Sequence, residues 1–298
     1  MRILLTGVSG QVGSALVPRL SAFGTVIPAD RMLIDMTKLG GIAARLDELA
    51  PDVIVNPAAY TAVDKAEDDR DTAFQVNEAA PRALARWAAA TRVPLIHFST
   101  DYVFDGSGTT PWKETDSPSP LSVYGASKLA GELAIRDAGG PHLIVRTSWV
   151  YAPTGTNFLR TIMRLAKERE ELRIVADQFG APTSAAMIAG AIAQMFADPR
   201  GIAEVVARGS GLVHLAASDS TSWHRFAAAI IGELQARGAA VKTTRVVPIA
   251  TSEYPVRAQR PLNSRLDLTK LSQTFGISMP HWSHGLKAAI DEVYASEQ

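Results

Sequence analysis

The stretch RILLTGVSGQVG, residues 2–13, decides the fold. Its first five residues predict a β-strand, and its last three open a helix. Of the three glycines in the turn, Gly7 would permit the tight bend, Gly10 would let backbone N–H groups approach a pyrophosphate, and Gly13 would allow close helix–strand packing. The spacing is G-x-x-G-x-x-G rather than G-x-G-x-x-G, so the triplet taken alone also fits an ordinary turn.

Strand-like runs alternate with helix-like segments along the chain. Strands are predicted at Val26–Ala29, Val53–Asn56, Leu95–Phe98, His142–Thr147, Arg173–Ala176, Gly211–Ala217 and Val241–Ile249, and helices at Gln11–Phe23, Leu39–Leu49, Asp71–Thr91, from Tyr124, Asn157–Glu168, Ser184–Phe196 and Ser222–Ala236. This alternation predicts an α/β fold: a Rossmann-type, doubly wound parallel sheet with helices on both faces. We expect residues 1–150 to form a dinucleotide-binding domain. Residues 151–298 would form a smaller C-terminal substrate-binding lobe, with some segments returning to the sheet.

Composition removes several classes of protein. The chain has 298 residues, 47% of them hydrophobic, and its 30 basic and 30 acidic residues cancel. That balance gives no electrostatic argument for a nucleic-acid or membrane partner. Cysteine is absent and the six histidines lack metal-ligand spacing, so no metal is expected. The N-terminal residues lack a signal-peptide pattern and no apolar run approaches the ~20 residues of a membrane helix, so a soluble cytoplasmic protein is the simplest interpretation.

The segments STDYVFDG, residues 99–106, and YGASK, residues 124–128, carry the candidate chemistry. Tyr124 and Lys128 are four residues apart, which places both side chains on one face of a helix. We expect the ammonium to lower the pKa of the phenol, which could then give a proton to a carbonyl oxygen as a hydride arrives at its carbon. A surface pair on an ordinary helix has the same spacing, so the context decides between the two interpretations.

Two adjacent residues, Asp30 and Arg31, favour different nicotinamide cofactors. Asp30 ends the second strand roughly 20 residues after the glycine turn, where a carboxylate can bind the adenosine ribose and favours NAD. Arg31 could instead meet a 2′-phosphate, which favours NADP. Both cofactors therefore stay open. Asp35 and Met36 could flank the adenine, although Asp35 also fits an ordinary helix cap.

The run NPAAYT, residues 56–61, follows a predicted central strand. Its small residues Ala58 and Ala59, with Tyr60, leave room for a ligand at the carboxyl end of that strand, where open α/β sheets bind ligands. Phe98 could pack near the nicotinamide, although a buried strand phenylalanine is usually a core residue.

These motifs resemble the extended short-chain dehydrogenase/reductase family in order and spacing. The resemblance rests on the glycine turn, NPAA at 56–59, STD at 99–101 and the pair Tyr124/Lys128. Longer stretches resemble one subgroup, the dTDP-4-dehydrorhamnose reductases: AAYTAVDKAE at 58–67, STDYVF at 99–104, RTSWVY at 146–151, DQFGAPT at 177–183 and RPLNS at 260–264. The resemblance covers nearly the whole chain.

The resemblance implies a reaction and a set of roles. NADPH or NADH would reduce the C4 ketone of dTDP-4-dehydro-L-rhamnose in the last step of dTDP-L-rhamnose synthesis. Thr100 would orient the keto oxygen, Tyr124 would donate the proton, and Lys128 would hold the nicotinamide ribose. Patterns and resemblance together predict a cofactor set of Gly7, Gly10, Gln11, Val12, Gly13, Asp30, Arg31, Asp35, Met36, Ala58, Ala59, Tyr60, Phe98, Tyr124 and Lys128. The predicted substrate set is Thr100, Asp101, Tyr124, Trp149, Asn157 and Arg260.

Three alternatives remain at this stage. The substrate could be another dTDP-4-keto-6-deoxysugar, or the chain could be a non-catalytic regulatory subunit on the same fold. The third alternative is epimerase or dehydratase activity. Dehydratases on this fold usually follow the catalytic Thr with Asp-Glu, whereas Tyr102 follows Thr100-Asp101 here, which disfavours that activity. Some subgroup members pair through magnesium held by carboxylates, one of them on the first helix. Ala15 stands at that position, so we expect a monomer or a weak homodimer.

Overall fold

The computed structural model describes residues 1–209 and 211–296, and its elements follow the predicted strand–helix alternation. The strands are β1 Arg2–Thr6, β2 Thr25–Ala29, β3 Val53–Asn56, β4 Leu95–Thr100, β5 His142–Thr147, β6 Val150–Tyr151, β7 Glu171–Val175, β8 Phe179–Gly180, β9 Thr183–Ser184, β10 Gly211–His214, β11 Thr221–Ser222, β12 Arg245–Ile249 and β13 Asn263–Ser264. The α-helices are α1 Gln11–Leu20, α2 Ile42–Leu49, α3 Val63–Ala66, α4 Arg70–Phe74, α5 Ala80–Thr91, α6 Val123–Asp137, α7 Phe158–Glu168, α8 Ala185–Phe196, α9 Ile202–Arg208, α10 Trp223–Ala236, α11 Thr269–Phe275 and α12 Trp282–Ser296.

A six-stranded parallel sheet forms the centre, in the order β10-β5-β4-β3-β1-β2. Alternate side chains of each strand enter two different apolar clusters: Leu5 packs with α1 and α8, whereas Leu4 packs with α2 and α5. Because both faces are covered, β3 and β4 are buried along their whole length, and each begins with apolar residues. Pro28 lacks an N–H and lies in β2, the edge strand, where that loss is tolerated. The predicted doubly wound α/β fold is confirmed.

Segments after residue 150 contribute to two regions. Strand β10 joins the central sheet as an edge strand, and helices α8, α9 and α11 pack onto that sheet. Helices α7, α10 and α12 instead surround a separate apolar cluster beside the parallel pair β7–β12. The sequence patterns did not predict α9, α11 or α12. Among the described residues, no helix is both long and apolar enough to cross a membrane.

The helix predicted at Asp71–Thr91 is interrupted by a π-helical turn at Gln75–Ala79, between α4 and α5. The turn directs Asn77 inward, where its side chain accepts from Tyr60 N at 2.8 Å and donates to Tyr60 O at 3.0 Å and to Ser127 Oγ at 3.0 Å. A one-residue bulge of this kind re-aims a side chain without ending the helix. It therefore links the loop after β3 to α6.

Helix α6, which carries Tyr124 and Lys128, is fixed by an N-cap, by a close backbone contact with the π-helical turn and by an ion pair with β5. The Ser122 side chain caps it by accepting from Gly125 N, and an ideal Cβ on Gly131 would lie 2.0 Å from the Asn77 carbonyl oxygen. Glu132 accepts two hydrogen bonds from Arg146 of β5 at 2.8 and 2.6 Å, and both side chains are 3% exposed. The close approach of Gly131 to Asn77 requires glycine, and the Glu132–Arg146 pair ties α6 to the sheet.

Gly131→Ala should destabilise the fold by about 1–3 kcal/mol, because a methyl group there forces two backbones apart. Gly232→Ala in α10 is the matched control: Gly232 is exposed, and nothing lies within 4 Å of its ideal Cβ. That change should stabilise by up to ~1 kcal/mol through helix propensity. Urea unfolding of both variants checks the pair, and a Gly131→Ala variant as stable as wild type would contradict the packing described.

Candidate active site

One cleft of about 900 Å³ opens at the carboxyl ends of the central strands. Its volume falls within the range of sites that take a ligand of drug size or larger. The structure brings every residue of the predicted cofactor and substrate sets to its walls: Gly7, Gly10, Gln11, Val12, Gly13, Asp30, Arg31, Asp35, Met36, Ala58, Ala59, Tyr60, Phe98, Thr100, Asp101, Tyr124, Lys128, Trp149, Asn157 and Arg260.

The glycine turn forms an open cradle at the start of α1. Gly7 has φ +57°, and Gly10 N donates to Gly7 O at 2.9 Å. A Cβ on Gly13 would lie 2.1 Å from Gly7 O, so that position needs glycine for helix–strand packing. A Cβ on Gly10 would meet only Gly7 O, at 3.2 Å, and would otherwise enter the cleft. The cradle therefore fits a pyrophosphate that approaches the first N–H groups of α1.

The two carboxylates beyond β2 fix turns at the far end of the cleft. Asp30 Oδ1 accepts from the backbone N–H groups of Met32 at 2.9 Å and Leu33 at 3.0 Å. Asp35 Oδ1 accepts from the N–H and the hydroxyl of Thr37, and these bonds lower the pKa of Asp35. Arg31 is exposed beside Asp30. Groups suited to a ribose hydroxyl and to a 2′-phosphate therefore lie side by side.

The Lys128 ammonium points toward the backbone of β4. Lys128 is 2% exposed, and its Nζ donates to Phe98 O at 2.7 Å and lies 3.3 Å from His97 Nε2. Burial lowers the pKa of Lys128 to about 8, although nearby Glu132 opposes the shift. Burial also raises the pKa of Tyr124, against a smaller opposing effect of the Thr100 hydroxyl. The expected lowering of the phenol pKa by Lys128 is thus not seen here, because burial dominates and the ammonium bonds to β4.

His97 begins a buried polar chain that the sequence patterns did not identify. His97 Nδ1 lies 2.9 Å from Asn56 Nδ2, and Thr6 Oγ1 donates to Asn56 Oδ1 at 2.6 Å. This series of polar contacts therefore runs from Lys128 through His97 of β4 and Asn56 of β3 to Thr6 of β1, just before the glycine turn. Burial and the charge of Lys128 hold the pKa of His97 well below its usual range, so the ring is neutral. A histidine inside an otherwise apolar strand was the available signal.

Thr100 and Asp101 lie where β4 ends. Thr100 Oγ1 accepts from Tyr102 N at 3.2 Å and donates to Asp101 Oδ1 at 3.1 Å. Asp101 is 2% exposed, and its Oδ2 has no hydrogen-bond partner in the described part of the chain. Burial raises the pKa of Asp101 to about 7, against the opposing effect of the Ser264 and Thr100 hydroxyls. A buried carboxyl that shares a hydrogen with Thr100 therefore faces the cleft.

The opposite wall is aromatic. Trp149, at φ +49°, stacks on Trp223 with ring centroids 3.5 Å apart and planes 8° from parallel, and Phe158 packs against Trp223 at 4.5 Å. An ideal Cβ on Gly180 would lie 2.6 Å from the Trp149 ring, so the glycine makes room for that indole. This wall offers a flat apolar surface to a sugar or a base.

Two residues of the predicted substrate set, Asn157 and Arg260, already have protein partners. Asn157 Nδ2 donates to Gln11 Oε1 at 3.0 Å and to Ala152 O at 2.8 Å, while its Oδ1 caps α7. Arg260 pairs with Asp64 at 2.6 Å and donates to the Tyr102 hydroxyl at 3.2 Å. Asn157 therefore links the two sides of the cleft, and Arg260 reaches it as part of an ion pair.

Fold and cleft together define a member of the extended short-chain dehydrogenase/reductase class, with its glycine turn and its Thr, Tyr and Lys at one site. The family described as RmlD substrate binding domain matches residues 1–295, and the chain belongs to that family. It is 47% identical over 297 residues to a dTDP-4-dehydrorhamnose reductase of Burkholderia thailandensis, covering 98% of this chain and 99% of the relative. A Salmonella typhimurium protein of the same name is 43% identical over 300 residues, covering 99% of both chains.

Solved structures agree with these sequence relatives. A dTDP-4-dehydrorhamnose reductase of Clostridium acetobutylicum superimposes with a TM-score of 0.89 at 34% identity, covering 99% of this chain and 100% of that one. The enzyme of that name from Bacillus anthracis, solved in complex with NADP, gives 0.88 at 34% identity, covering 98% and 99%. The similarity thus extends over both walls of the cleft.

Gly10→Val should leave the fold intact but abolish dinucleotide binding, because its side chain fills the cradle rather than the protein interior. Titration with NADPH, followed by calorimetry, measures the affinity, and circular dichroism checks the fold. Gly40→Val is the control, since nothing lies within 4 Å of an ideal Cβ there and the residue is outside the cleft. Unchanged affinity in a folded Gly10→Val protein would place the cofactor elsewhere.

Proposed function

We propose that the chain reduces the C4 ketone of dTDP-4-dehydro-L-rhamnose to the alcohol of dTDP-L-rhamnose, using NADPH or NADH. The observation that carries this proposal is the single cleft that joins the glycine cradle to Thr100, Tyr124 and Lys128 and then to an aromatic wall. The full-length relatives named for this reaction give the substrate class. Residues 1–150 would form most of the cofactor half, and residues 151–298 most of the substrate half.

The cofactor positions would follow the cleft from end to end. The pyrophosphate would lie at Gly10, Gln11 and Val12, and the adenosine would reach Asp30 and Arg31. The nicotinamide end would lie beside Phe98 and Lys128, because these residues line the cleft where β4 and α6 meet. When bound, the reduced nicotinamide supplies the hydride.

Tyr124 is suited to donate the proton that completes the alcohol. Burial disfavours its phenolate, so the phenol is protonated at neutral pH and its hydrogen is available to the oxygen that becomes negative as hydride reaches C4. The Thr100 hydroxyl, close to the same phenol, would orient that oxygen. Lys128 would place a positive charge beneath both groups and reach the ribose hydroxyls. These groups are held before substrate arrives, so they stabilise the developing oxyanion without reorganising.

The substrate would lie between β4 and the aromatic wall. Trp149 offers its ring face, Asp101 and Tyr124 face the sugar position, and the Arg260 side chain approaches with its charge shared by Asp64. Asn157 would shape this region through its bond to Gln11 rather than through a free amide. We also propose that the protein is cytoplasmic, that it is a monomer or a weak homodimer, and that it has no nucleic-acid or membrane partner. Light scattering of the purified chain tests the assembly state.

The decisive assay follows NADPH oxidation with dTDP-4-dehydro-L-rhamnose, with its C3 and C5 epimers and other dTDP-4-keto-6-deoxysugars as comparison substrates. We expect rapid oxidation with the L-rhamno ketone and formation of dTDP-L-rhamnose. The same assay with NADH gives the cofactor preference that Asp30 and Arg31 leave open. Faster turnover of another ketone would change the substrate, and turnover of none by folded, cofactor-binding protein would support a regulatory role instead.

Tyr124→Phe should lower kcat by about 10²–10⁴-fold, because it removes the proton donor, and should leave the affinity for NADPH nearly unchanged. Tyr151→Phe is the matched control: this tyrosine is buried away from the cleft, and its hydroxyl has no hydrogen-bond partner among the residues described. Its kcat should equal that of wild type. Steady-state kinetics decide, and wild-type turnover in Tyr124→Phe would assign the proton to another group.

A further inference from the structure

The hydroxyl of Thr100 can donate one hydrogen, and in the structure it donates that hydrogen to Asp101. A threonine hydroxyl donates once and accepts twice. Oγ1 of Thr100 accepts the N–H of Tyr102 at 3.2 Å, and Asp101 Oδ1 lies 3.1 Å away in position to take the hydrogen. An ionised carboxylate can only accept. With Asp101 ionised, Thr100 therefore has no hydrogen left for a substrate ketone.

Protonation of Asp101 reverses that bond. A neutral carboxyl can donate its own hydrogen to the second lone pair of Thr100 Oγ1, and the Thr100 hydrogen is then free to turn into the cleft. The hydroxyl makes three bonds in this arrangement: two accepted, from Tyr102 N and Asp101, and one donated to a ligand oxygen. Geometry allows both states because the same two oxygens, 3.1 Å apart, exchange the roles of donor and acceptor.

The surroundings of Asp101 favour the neutral form. The side chain is buried, Oδ2 has no partner among the described residues, and an ionised carboxyl in such a place is costly. The titratable groups that face it are Tyr124 from α6 and Tyr102 from its own turn, and its negative charge would raise the pKa of both. Arg260 and Asp64 pair with each other and act on Tyr102. Burial accordingly raises the pKa of Asp101 to about 7.

We propose that Asp101 acts as a positioning residue in its protonated form, donating to Thr100 Oγ1 and so freeing the Thr100 hydroxyl hydrogen to bond the ketone oxygen. This inference rests on the proposed reduction and adds a second role for the neutral carboxyl. Negative charge at Asp101 would oppose the charge that develops on the ketone oxygen, and protonation removes that charge. No proton leaves Asp101 during turnover, so the balance of the reaction is unchanged.

Two substitutions of Asp101 test whether a hydrogen-bond donor is needed at this position: one keeps a donor, and the other has a similar shape without one. Asp101→Asn keeps a donor toward Thr100 at every pH, so at pH 6 it should retain more of the wild-type kcat than a variant that lacks the donor. Asp101→Leu has a similar shape but neither donates nor accepts, so the Thr100 hydrogen is no longer directed into the cleft by a bond from residue 101. We expect kcat at pH 6 to fall by about tenfold, the value of one hydrogen bond, with KM for the sugar little changed. Equal losses of kcat in the two variants at pH 6 would overturn the proposal.

The pH dependence of kcat distinguishes this positioning role from a purely structural one, which would leave the profile unchanged. Wild-type kcat should fall as pH rises through about 7, because Asp101 ionises and takes the Thr100 hydrogen. A further fall near pH 8 is expected from loss of the Lys128 charge. Asp101→Asn should lose the first fall and keep the second. An unchanged first fall in Asp101→Asn would contradict the assignment.

A direct titration keeps the inference separate from the proposed reaction. Carbon-13 NMR of aspartate-labelled protein bound to NADP⁺, with Asp101→Asn used to assign the resonance, should show Asp101 titrating near 7. Thr100→Val should raise that pKa further, because the hydroxyl favours the ionised carboxyl. Titration near the ordinary 3.8 would overturn the role of Asp101 even in an active reductase. A titration near 7 with no turnover of the keto sugar would instead reject only the proposed reaction.

Discussion

The bonds of one buried carboxylate determine where the reactive groups lie. Glu132 of α6 binds Arg146 of β5 through two hydrogen bonds and accepts a third from Ser99 of β4, one residue before Thr100. It also opposes the lowering of the Lys128 pKa by burial, one helical turn away. Removing one member of such a buried pair typically costs about 3–5 kcal/mol, because the other charge is left without a partner. The relative position of Tyr124, Lys128 and Thr100 therefore depends on this cluster.

The second half of the chain completes the cleft through a few contacts with the first half. Asn157 at the start of α7 binds Gln11 at the start of α1, so the helix that would face the pyrophosphate is tied to the substrate side. The loop before β13 is tied back by Arg260 and by the N–H of Ala258, both of which bind Asp64. These contacts join segments that are 146 to 196 residues apart in the sequence, so they position the two walls of the cleft relative to each other.

Local patterns predicted the sheet and the glycine cradle because those features depend on neighbouring residues. Strands β3 and β4 begin as short apolar runs, and the turn at Gly7 has a positive φ that favours glycine. All of the site residues predicted from residue types at family spacing line one cleft. Their individual roles stay predictions.

Features that depend on distant partners were not predictable in the same way. The π turn at Asn77 follows from its contacts with Tyr60 and Ser127, which are 17 and 50 residues away. The direction of the Lys128 ammonium depends on the carbonyl of Phe98 and the ring of His97, and this direction reversed our expectation for Tyr124. The stack of Trp149 on Trp223 likewise joins the turn between β5 and β6 to the start of α10, which no periodicity connects.

In the proposed reaction the cofactor delivers hydride to C4 of the sugar within the cleft, and this chain supplies the proton. The most direct measurement uses NADPH with deuterium at C4 of the nicotinamide, in each of its two stereoisomers, and dTDP-4-dehydro-L-rhamnose. Deuterium NMR should place the label at C4 of dTDP-L-rhamnose from one stereoisomer alone. Label at another carbon, label lost to water, or a product without deuterium from either isomer would contradict the account.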